Sequence, residues 1–589
     1  MNFFKITRIH TAGFLFAMMA LLIILQLLRI QTNVNAQVLR EEAQARYGYE
    51  RRRIIPERGA IYDRWGHLLA GNQEVYEVGL ALNQVSDPQT IAMVAASLLD
   101  LNQADAFALA STPYVRGQQE YIVLKDFVSA ETIQQLEDLQ DQYANAKTRK
   151  GEITPNLNGL HWTGHLQRTY PENTLASNVL GFYSFRDRIN GTGYFGVEEK
   201  YNELLAGVPL DVVLPVDPKE ITEIPTVAPG ASLVLTIDRE IQASVERILD
   251  EAVERNGAVS GTIIVLDPRN NEILAMATTP RLDPNKYWEY SQIFPGATPY
   301  NRAISQTYEP GSVLKVLTMG SALDAGVVTP DTTFLDTGAI EVGGITIHNW
   351  DGGAWGWQTM TGCMQHSLNV CLSWVATELG PTRFYDYLKA FGVGHRTNVD
   401  LAGEKIWPLS LPGDENWYQV NLATNSFGQG VAVTPLQMAV SISAVANDGN
   451  IMAPHVVKAI IQDGKQRDVR PMIIGNPISA QTAHTLTEML AVSLEEESSN
   501  ALVEGYRIAG KTGTAQIPSP QGYLDDVTNA SFVGWGPVDD PQFLVYVWIE
   551  RPASSPWGSV VAAPVFRDVV KELVVLLNIP PDSIRQQIR

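Results

Sequence analysis

The sequence predicts a multidomain α/β protein of the α+β type, with a single N-terminal transmembrane helix. Residues 11–28 carry no charge and are long enough to cross a bilayer. Residues 313–326 and 562–577 have the apolar spacing of helices that pack one face against a core. Two apolar runs, 531–535 and 543–549, flank a Gly-Pro-Val-Asp-Asp-Pro segment, a pattern that favours antiparallel strands joined by a turn.

Positive charge precedes the uncharged segment, at Lys5 and Arg8. By the positive-inside rule this predicts a cytoplasmic tail over residues 1–10, an anchor over 11–30 and an extracytoplasmic remainder. The alternative is a cleaved signal peptide ending at the small residues 34–36. A retained anchor is favoured, because the apolar stretch exceeds the ~7–15 residues of a signal peptide and Arg29 interrupts the approach to the cleavage site.

The composition limits the class of partner. The chain has 589 residues, 45% of them hydrophobic, and a formal net charge of −21. This size allows several globular domains, while the negative charge argues against nucleic acid as a partner.

The only cysteines are Cys363 and Cys371. If the stretch between them is helical, eight residues at ~1.5 Å each separate the Cα atoms by about 12 Å, beyond the ~7 Å reach of a disulfide. The sequence therefore predicts two buried thiols.

Three short motifs in order carry the chemistry: Ser312-Val-Leu-Lys315, Ser367-Leu-Asn369 and Lys511-Thr-Gly-Thr514. Together they are typical of an active-serine acyl-transfer site. A serine hydroxyl needs a base to remove its proton, and a lysine can act as that base only when it is neutral. Burial and a second cation, for which Lys511 is the candidate, would lower the pKa of Lys315 from about 10.4.

The first motif follows Pro310-Gly311 and opens a predicted helix that ends near Gly326. Ser312 and Lys315, three residues apart, then share one face, and Ser312 lies where helix N–H groups favour an oxyanion. The alternative is that Ser312 merely caps the helix and Lys315 is solvated. The apolar surroundings of Lys315 favour the catalytic interpretation.

The third motif is predicted to lie on a strand. Gly513 would let a peptide substrate approach the backbone and pair as an added strand, although a glycine at a bulge remains an alternative. A second Ser-x-Asn sequence, residues 498–500, follows three glutamates and is interpreted as a solvated loop. Trp350, Trp355 and Trp357 are expected to pack under their loop rather than to line a cleft.

Segments outside these motifs resemble parts of a known protein family. Residues 58–66, 168–171 and 196–199 resemble blocks of a non-catalytic domain, and residues 235–238 and 265–277 resemble the opening of a catalytic one. With the three motifs, the chain resembles a class B penicillin-binding protein, a membrane-anchored peptidoglycan D,D-transpeptidase. Residues 426–430 and 434–437 favour the septal, cell-division branch over the elongation branch.

The resemblance implies an elongated non-catalytic pedestal over residues 31–225 and a transpeptidase domain over 226–589, built from an antiparallel sheet flanked by helices. It implies that Ser312 is acylated, Lys315 is the general base and Ser367 relays a proton. Asn369, Lys511, Thr512, Gly513 and Thr514 would bind the substrate, with the N–H groups of Ser312 and Thr514 forming an oxyanion hole.

The implied substrates are stem peptides ending in D-Ala-D-Ala, with β-lactams as covalent inhibitors and no metal or organic cofactor. The implied partners are a membrane-embedded glycosyltransferase and other wall-synthesis proteins. Leu368 stands where related β-lactamases carry Asp, and no glutamate is assigned to deacylation, so a β-lactam adduct should persist. A D,D-carboxypeptidase or β-lactam sensor, and a catalytically idle scaffold, are the remaining alternatives.

Overall fold

The structure is a computed structural model of the whole chain. The residues it describes are 8–32, 48–145, 155–185, 191–215, 225–296, 298–497, 499–520 and 522–588. They form two compact units, one from residues 1–57 and 206–230 and the other from 58–205 and 231–589. The possible cleavage site at 34–36, residues 1–7 of the predicted cytoplasmic tail and Ser498 lie outside the described residues.

The strands range from 2 to 15 residues in length, and long strands occur in both halves of the chain. Up to residue 235 they are β1 (Tyr49–Ile54), β2 (Ile61–Tyr62), β3 (Leu68–Ala81), β4 (Tyr121–Ser129), β5 (Leu160–Thr169), β6 (Phe182–Phe185), β7 (Gly191–Tyr194), β8 (Leu210–Pro215) and β9 (Ser232–Leu235). The remainder are β10 (Ser260–Asp267), β11 (Glu272–Thr278), β12 (Thr333–Asp336), β13 (Ala339–Val342), β14 (Ile345–His348), β15 (Gly356–Thr359), β16 (Ile451–Met452), β17 (Val457–Gln462), β18 (Lys465–Asp468), β19 (Ile473–Gly475), β20 (Ala509–Ser519), β21 (Gly522–Gly536) and β22 (Phe543–Glu550).

The helices alternate with these strands. Up to residue 256 they are α1 (Arg8–Thr32), α2 (Pro88–Leu98), α3 (Gln103–Ala110), α4 (Ala130–Ala144), α5 (Ser177–Leu180), α6 (Gly196–Lys200), α7 (Asn202–Ala206) and α8 (Arg239–Asn256). Beyond it they are α9 (Tyr290–Ile293), α10 (Arg302–Ser305), α11 (Lys315–Asp324), α12 (Met360–Gln365), α13 (Asn369–Leu379), α14 (Pro381–Ala390), α15 (Gln419–Ser426), α16 (Pro435–Ala446), α17 (Ala480–Glu496), α18 (Gly558–Leu576) and α19 (Asp582–Ile588). Segments Pro284–Glu289 and Gly311–Leu314 are 3₁₀ turns.

The first unit contains α1 and an antiparallel pair, β1 with β8. Within α1, His10–Arg29 is long and apolar enough to cross a membrane, with a mean hydropathy of 2.3. This agrees with the segment expected from the sequence. A helix whose side chains are apolar on all sides avoids water best when it is surrounded by lipid.

The second unit contains a sheet in the order β18-β17-β9-β2-β3-β4, with β5 also pairing with β3. Strand β2 runs parallel to β9, so the segment after residue 58 and the segment after residue 231 share one sheet. Helices α2, α3 and α4 bury a separate apolar cluster against β3, β4 and β5. Further links between the two segments are ion pairs and hydrogen bonds, such as Tyr201 to Asp400 (3.0 Å).

A five-stranded antiparallel sheet, in the order β11-β10-β22-β21-β20, carries the third motif. Successive residues of β10 point to opposite faces, and all of them are buried. Ile263 and Val265 pack with α8 and α18, whereas Ile264 and Leu266 join the larger core on the other face. The fold is therefore the predicted α+β architecture, and α18 covers the sheet as the spacing of residues 562–577 predicts.

Candidate active site

The first motif lies on a tight turn rather than within the helix that follows it. Gly311–Leu314 forms a 3₁₀ turn, and α11 begins at Lys315. Gly311 has φ +57°, and a Cβ there would lie 2.7 Å from the carbonyl oxygen of Thr514, so only glycine fits. Val313 and Leu314 are fully buried and anchor the turn, which holds Ser312 beside the third motif.

Lys315 is completely buried, and its amine is directed at the second motif. The Lys315 Nζ atom donates to the carbonyl oxygen of Ser367 (2.6 Å), to the Ser367 hydroxyl (3.2 Å) and to Asn369 Oδ1 (2.8 Å). Burial lowers the pKa of Lys315 well below its ordinary value, and the nearby charge of Lys511 lowers it further. These are the two causes that the sequence predicts.

The Ser312 hydroxyl has a different environment. Among the residues that the structure describes, none accepts from or donates to it, and the side chain is partly exposed. Although Ser312 and Lys315 belong to one short segment, the Lys315 amine is hydrogen-bonded to Ser367 and Asn369. A partly exposed hydroxyl without a fixed partner is accessible to a substrate carbonyl carbon.

The second motif lies at a break between two helices, α12 and α13. Ser367 has φ +53°, a left-handed conformation that is uncommon for a residue with a side chain. This conformation aims both the carbonyl and the hydroxyl of Ser367 at Lys315. Backbone strain of this kind concentrates at functional sites, where the surrounding structure imposes it.

The same break makes the prediction of two free thiols wrong. Cys363 and Cys371 form a disulfide, and their Cα atoms are 6.1 Å apart. The estimate of about 12 Å assumed a continuous helix. Because the chain reverses at Ser367, the two cysteines approach each other and the disulfide closes the turn that carries the motif.

The Asn369 side chain is held from both ends. Its Oδ1 accepts from Lys315, and its Nδ2 donates to the carbonyl oxygen of His348 (3.3 Å). Next to it, Asn349 Oδ1 accepts from the N–H of Val370 (3.1 Å), while Asn349 Nδ2 donates to the Asp336 carboxylate (2.8 Å). The small β13–β14 hairpin and the loop after it therefore fix the orientation of the motif.

The third motif lies on β20, which is an edge strand of the five-stranded sheet. An edge strand leaves backbone groups free to pair with a further strand, as a peptide substrate would require. A Cβ at Gly513 would lie 2.2 Å from the Ser531 hydroxyl oxygen and 2.7 Å from a methyl group of Val313. In the structure, Gly513 thus admits the turn that carries Ser312, and its role in the approach of substrate stays a prediction.

Lys511 is buried, with 5% of its surface exposed, and it has weak partners. Its Nζ lies 3.3 Å from the Thr512 hydroxyl and 3.5 Å from the Thr512 carbonyl oxygen. Burial lowers the pKa of Lys511 to about 8, while the Glu497 carboxylate acts in the opposite direction. Among the described residues the hydrogen bonds of this ammonium group are long, which suits it to bind a carboxylate. Thr514 is fixed by a hydrogen bond that its hydroxyl accepts from the N–H of Gly558 (3.0 Å).

Two of the three tryptophans do not pack as expected. Trp350 and Trp357 are 52% and 70% exposed, whereas Trp355 stacks on His366 with ring centroids 4.2 Å apart. Trp350 contacts Trp557, which precedes α18, with ring centroids 5.3 Å apart. Trp350 also donates its indole N–H to the carbonyl oxygen of His366 (3.1 Å), so Trp350 lies beside the turn that carries the second motif.

Several residues around the site were missed from the sequence: His348 and Asn349, which orient the second motif, and Glu497, which contacts His366 beside that motif. No short motif marks them. The glutamate run at 495–497 was the available signal, but its charge pattern alone favoured a solvated loop.

Comparison with known proteins assigns the family. The family described as "Penicillin binding protein transpeptidase domain" matches residues 261–571, and "Penicillin-binding Protein dimerisation domain" matches residues 53–219. The chain belongs to the penicillin-binding proteins that carry a transpeptidase domain. With the dimerisation domain preceding it, this is a class B penicillin-binding protein, a peptidoglycan transpeptidase.

The names of similar proteins support this family assignment. Stage V sporulation protein D of Bacillus subtilis is 30% identical, over 89% of this chain and 79% of that protein. Penicillin-binding protein PbpB of Mycolicibacterium smegmatis is 34% identical, over 70% of this chain and 65% of that protein. Peptidoglycan D,D-transpeptidase FtsI of Escherichia coli is 31% identical, over 73% of this chain and 70% of that protein.

Among solved structures, penicillin-binding protein 3 of Mycobacterium tuberculosis complexed with aztreonam is 27% identical to this chain, with a TM-score of 0.67. The match covers 90% of this chain and 98% of that one. Penicillin-binding protein 2X of Streptococcus thermophilus, 22% identical with a TM-score of 0.75, shows the same fold. FtsI and penicillin-binding protein 3 as relatives fit the septal branch.

Proposed function

We propose that this protein cross-links peptidoglycan through a Ser312 acyl-enzyme, with Lys315 as the base. The observation that carries the proposal is the burial of Lys315, whose lowered pKa leaves part of its amine neutral while Ser367 and Asn369 hold it in place. Only a neutral amine can remove the proton of the Ser312 hydroxyl.

In the first half-reaction, Ser312 Oγ attacks the carbonyl carbon of the D-Ala-D-Ala bond and its proton passes to Lys315. The N–H groups of Ser312 and Thr514 stabilise the oxyanion. Collapse breaks the C–N bond, Ser367 relays the proton to the leaving nitrogen, and D-Ala departs. Lys511, with Thr512 and Thr514, binds the terminal carboxylate of the donor, while Asn369 binds its amide and β20 pairs with its backbone.

In the second half-reaction, an amine from a neighbouring stem peptide attacks the acyl-enzyme and releases Ser312. The net change is one amide bond exchanged for another, so the step needs no oxidant and no energy-rich cofactor. We further propose that the chain has this single activity and works in septal wall synthesis beside a membrane-embedded glycosyltransferase. Its catalytic region would lie outside the cytoplasm, anchored by α1.

The test is the intact mass of the purified protein after exposure to benzylpenicillin, with peptide mapping of the adduct. We expect a stable penicilloyl adduct on Ser312 and none in Ser312→Ala. Rapid turnover of the drug would instead favour a hydrolase. A folded wild type that forms no adduct would favour the idle scaffold.

Cross-linking and carboxypeptidase activity differ in the acceptor. A donor stem peptide supplied with an amine acceptor should yield the cross-linked product and free D-Ala. If water is the only acceptor that the acyl-enzyme uses, the protein is a D,D-carboxypeptidase or a β-lactam sensor.

A further inference from the structure

The segment that leads into the first motif pairs with a loop that follows α15. Tyr308 and Val433 exchange both backbone hydrogen bonds, at 3.0 Å and 2.9 Å. The N–H of Gly311 donates to the carbonyl oxygen of Gly428 (3.1 Å), and a Cβ at Gly428 would overlap the carbonyl oxygen of Gly311. Residues 428–433 therefore hold the backbone immediately before the candidate nucleophile.

The Glu309 carboxylate joins this paired segment to the sheet. Its Oε1 accepts from the N–H of Gly430 (3.0 Å), and its Oε2 accepts from the Tyr523 hydroxyl (3.0 Å) on β21. A longer hydrogen bond runs beside it, from Gln429 Nε2 to Gln516 Oε1 (3.4 Å) on β20. One carboxylate therefore links the turn of the first motif, the loop after α15 and the strands that continue from the third motif.

Tyr523 belongs to the outer ribbon, which we define as residues 515–519 of β20 paired with 522–529 of β21. Tyr523 lies opposite Pro518, four residues beyond Thr514. At ~3.3 Å per residue, Pro518 is about 13 Å along the strand from the third motif. If Lys511 binds the terminal carboxylate of a donor peptide and Thr514 binds its scissile carbonyl, the preceding residues of the donor run along the outer ribbon.

The two hydrogen bonds of Glu309 come from neutral donors. Among the described residues, no basic side chain forms an ion pair with this half-buried carboxylate. Burial raises the pKa of Glu309, and the hydrogen bonds from Gly430 and Tyr523 oppose this only in part. A glutamine has the same shape, and its side chain can accept from the Gly430 N–H and donate to the Tyr523 oxygen. The geometry therefore requires the two hydrogen bonds, not the charge.

We propose that Glu309 is a positioning residue for the donor peptide, which fixes the Ser312 turn and the outer ribbon relative to each other through Gly430 and Tyr523. This proposal rests on the proposed transpeptidase function and adds the group that aligns the nucleophile with the body of the donor. A small β-lactam contacts the three motifs alone, whereas a stem peptide also pairs along the outer ribbon. The two substrates should therefore respond differently when Glu309 loses its partners.

The test compares benzylpenicillin with a synthetic pentapeptide ending in D-Ala-D-Ala, both on the full chain in detergent. The readouts are the second-order rate constant of acylation and the steady-state release of D-Ala. Tyr523→Phe removes only the hydroxyl that binds Glu309. We expect kcat/KM for the pentapeptide to fall about three- to ten-fold, mainly through KM, because the outer ribbon binds the donor before and during the reaction. Acylation by benzylpenicillin should change less than about two-fold.

Two variants of Glu309 separate hydrogen bonding from charge. Glu309→Ala removes both hydrogen bonds, so kcat/KM for the pentapeptide should fall about ten- to hundred-fold, and benzylpenicillin should be affected by a smaller factor. Glu309→Gln should remain within about two-fold of the wild type on both substrates. A Glu309→Gln variant as slow as Glu309→Ala would overturn the proposal, because the charge would then be the essential property.

A matched control and a second route keep the test decisive. Tyr121→Phe removes a hydroxyl that also donates to a glutamate, Glu77 (3.0 Å), but on β4, and should leave both substrates unaffected. Because Tyr523 is 39% exposed, Tyr523→Phe should fold even if Glu309→Ala does not. Where Glu309→Ala is folded, Tyr523→Phe should have no further effect in that background. An equal loss in both backgrounds would show that the two side chains act independently and would overturn the proposal.

The outcomes separate the two proposals. A wild type that forms no adduct on Ser312, or that is acylated but releases no D-Ala from the pentapeptide, refutes the proposed function and with it the role of Glu309. A wild type that reacts with both substrates, together with Tyr523→Phe and Glu309→Ala variants that slow both equally, overturns the role of Glu309 alone.

Discussion

The molecule buries two pairs of basic side chains in opposite ways. In the segment after residue 58, Arg58 and Arg168 share the carboxylate of Glu198, which is completely buried. In the candidate active site, Lys315 and Lys511 are also buried, but the hydrogen-bond acceptors around Lys315 are neutral oxygens. The arginine pair shares one fully bonded carboxylate, whereas in the described part of the chain no carboxylate hydrogen-bonds to either lysine.

The consequences for proton affinity are opposite. Burial alone would raise the pKa of Glu198, but the two guanidinium groups outweigh it and lower that pKa overall. Burial likewise opposes the charge of Arg168, but Glu198 raises the pKa of that arginine. At Lys315, burial and a like charge act in the same direction and lower the pKa. A buried charge with a partner holds the fold, whereas a buried charge without one becomes reactive.

Replacing Lys315 by arginine should give the largest effect. A guanidinium group cannot lose its proton near neutral pH, so the base disappears while the charge remains. We expect acylation by benzylpenicillin to slow about 10³-fold, measured as the second-order rate constant. Lys405→Arg, at an exposed lysine, is the matched control and should react like the wild type. Near-normal acylation of Lys315→Arg would contradict the role of Lys315 as base.

Removing the Glu198 carboxylate, which Arg58 and Arg168 share, should lower stability and leave the rate of acylation unchanged. Glu198→Gln leaves Arg58 and Arg168 buried without a counter-charge and should lower the free energy of unfolding by about 3 kcal/mol in urea titrations. The folded variant should still be acylated at the wild-type rate. Glu251→Gln, which breaks an exposed pair with Arg247, should cost less than about 0.5 kcal/mol.

The pH dependence of this stability has a definite sign. Because the pKa of Glu198 in the folded protein lies below its ordinary value of 4.5, its contribution is present above pH 4.5 and is lost as the pH falls through the lower folded value. Acid unfolding curves of the wild type and Glu198→Gln should therefore converge in strong acid. Parallel curves throughout would contradict the ion network.

Removing the disulfide should have a smaller effect on stability and should also slow acylation. Cys363→Ser with Cys371→Ser opens a short loop and should lower the free energy of unfolding by about 2–3 kcal/mol. Because this loop carries Ser367, acylation should slow as well, which distinguishes the variant from Glu198→Gln. Dithiothreitol should reproduce both effects in the wild type and leave the variant unchanged. Peptide mapping without reductant that finds free thiols in the wild type would refute the disulfide.

The sequence by itself determined the elements and the chemical groups. Local apolar spacing identified the anchor, α11, α18 and the strands β21 and β22, because the period of a helix or strand is written in consecutive residues. The motifs named Ser312, Lys315, Ser367, Asn369 and Lys511, and the structure brings Lys315 into contact with Ser367 and Asn369.

Only the tertiary structure decided how those groups are connected. The reversal at Ser367, with its left-handed backbone, joined Cys363 to Cys371 and turned the Lys315 amine towards the second motif. A single residue in that conformation interrupts the helix, so a Cα distance calculated from helical rise no longer applies. No pattern in the sequence predicts that conformation. The 3.8 Å contact of Glu497 with His366 joins the end of α17 to the turn before α13, which are remote in sequence. Such contacts follow from the packing of whole elements, so no local pattern could have predicted them.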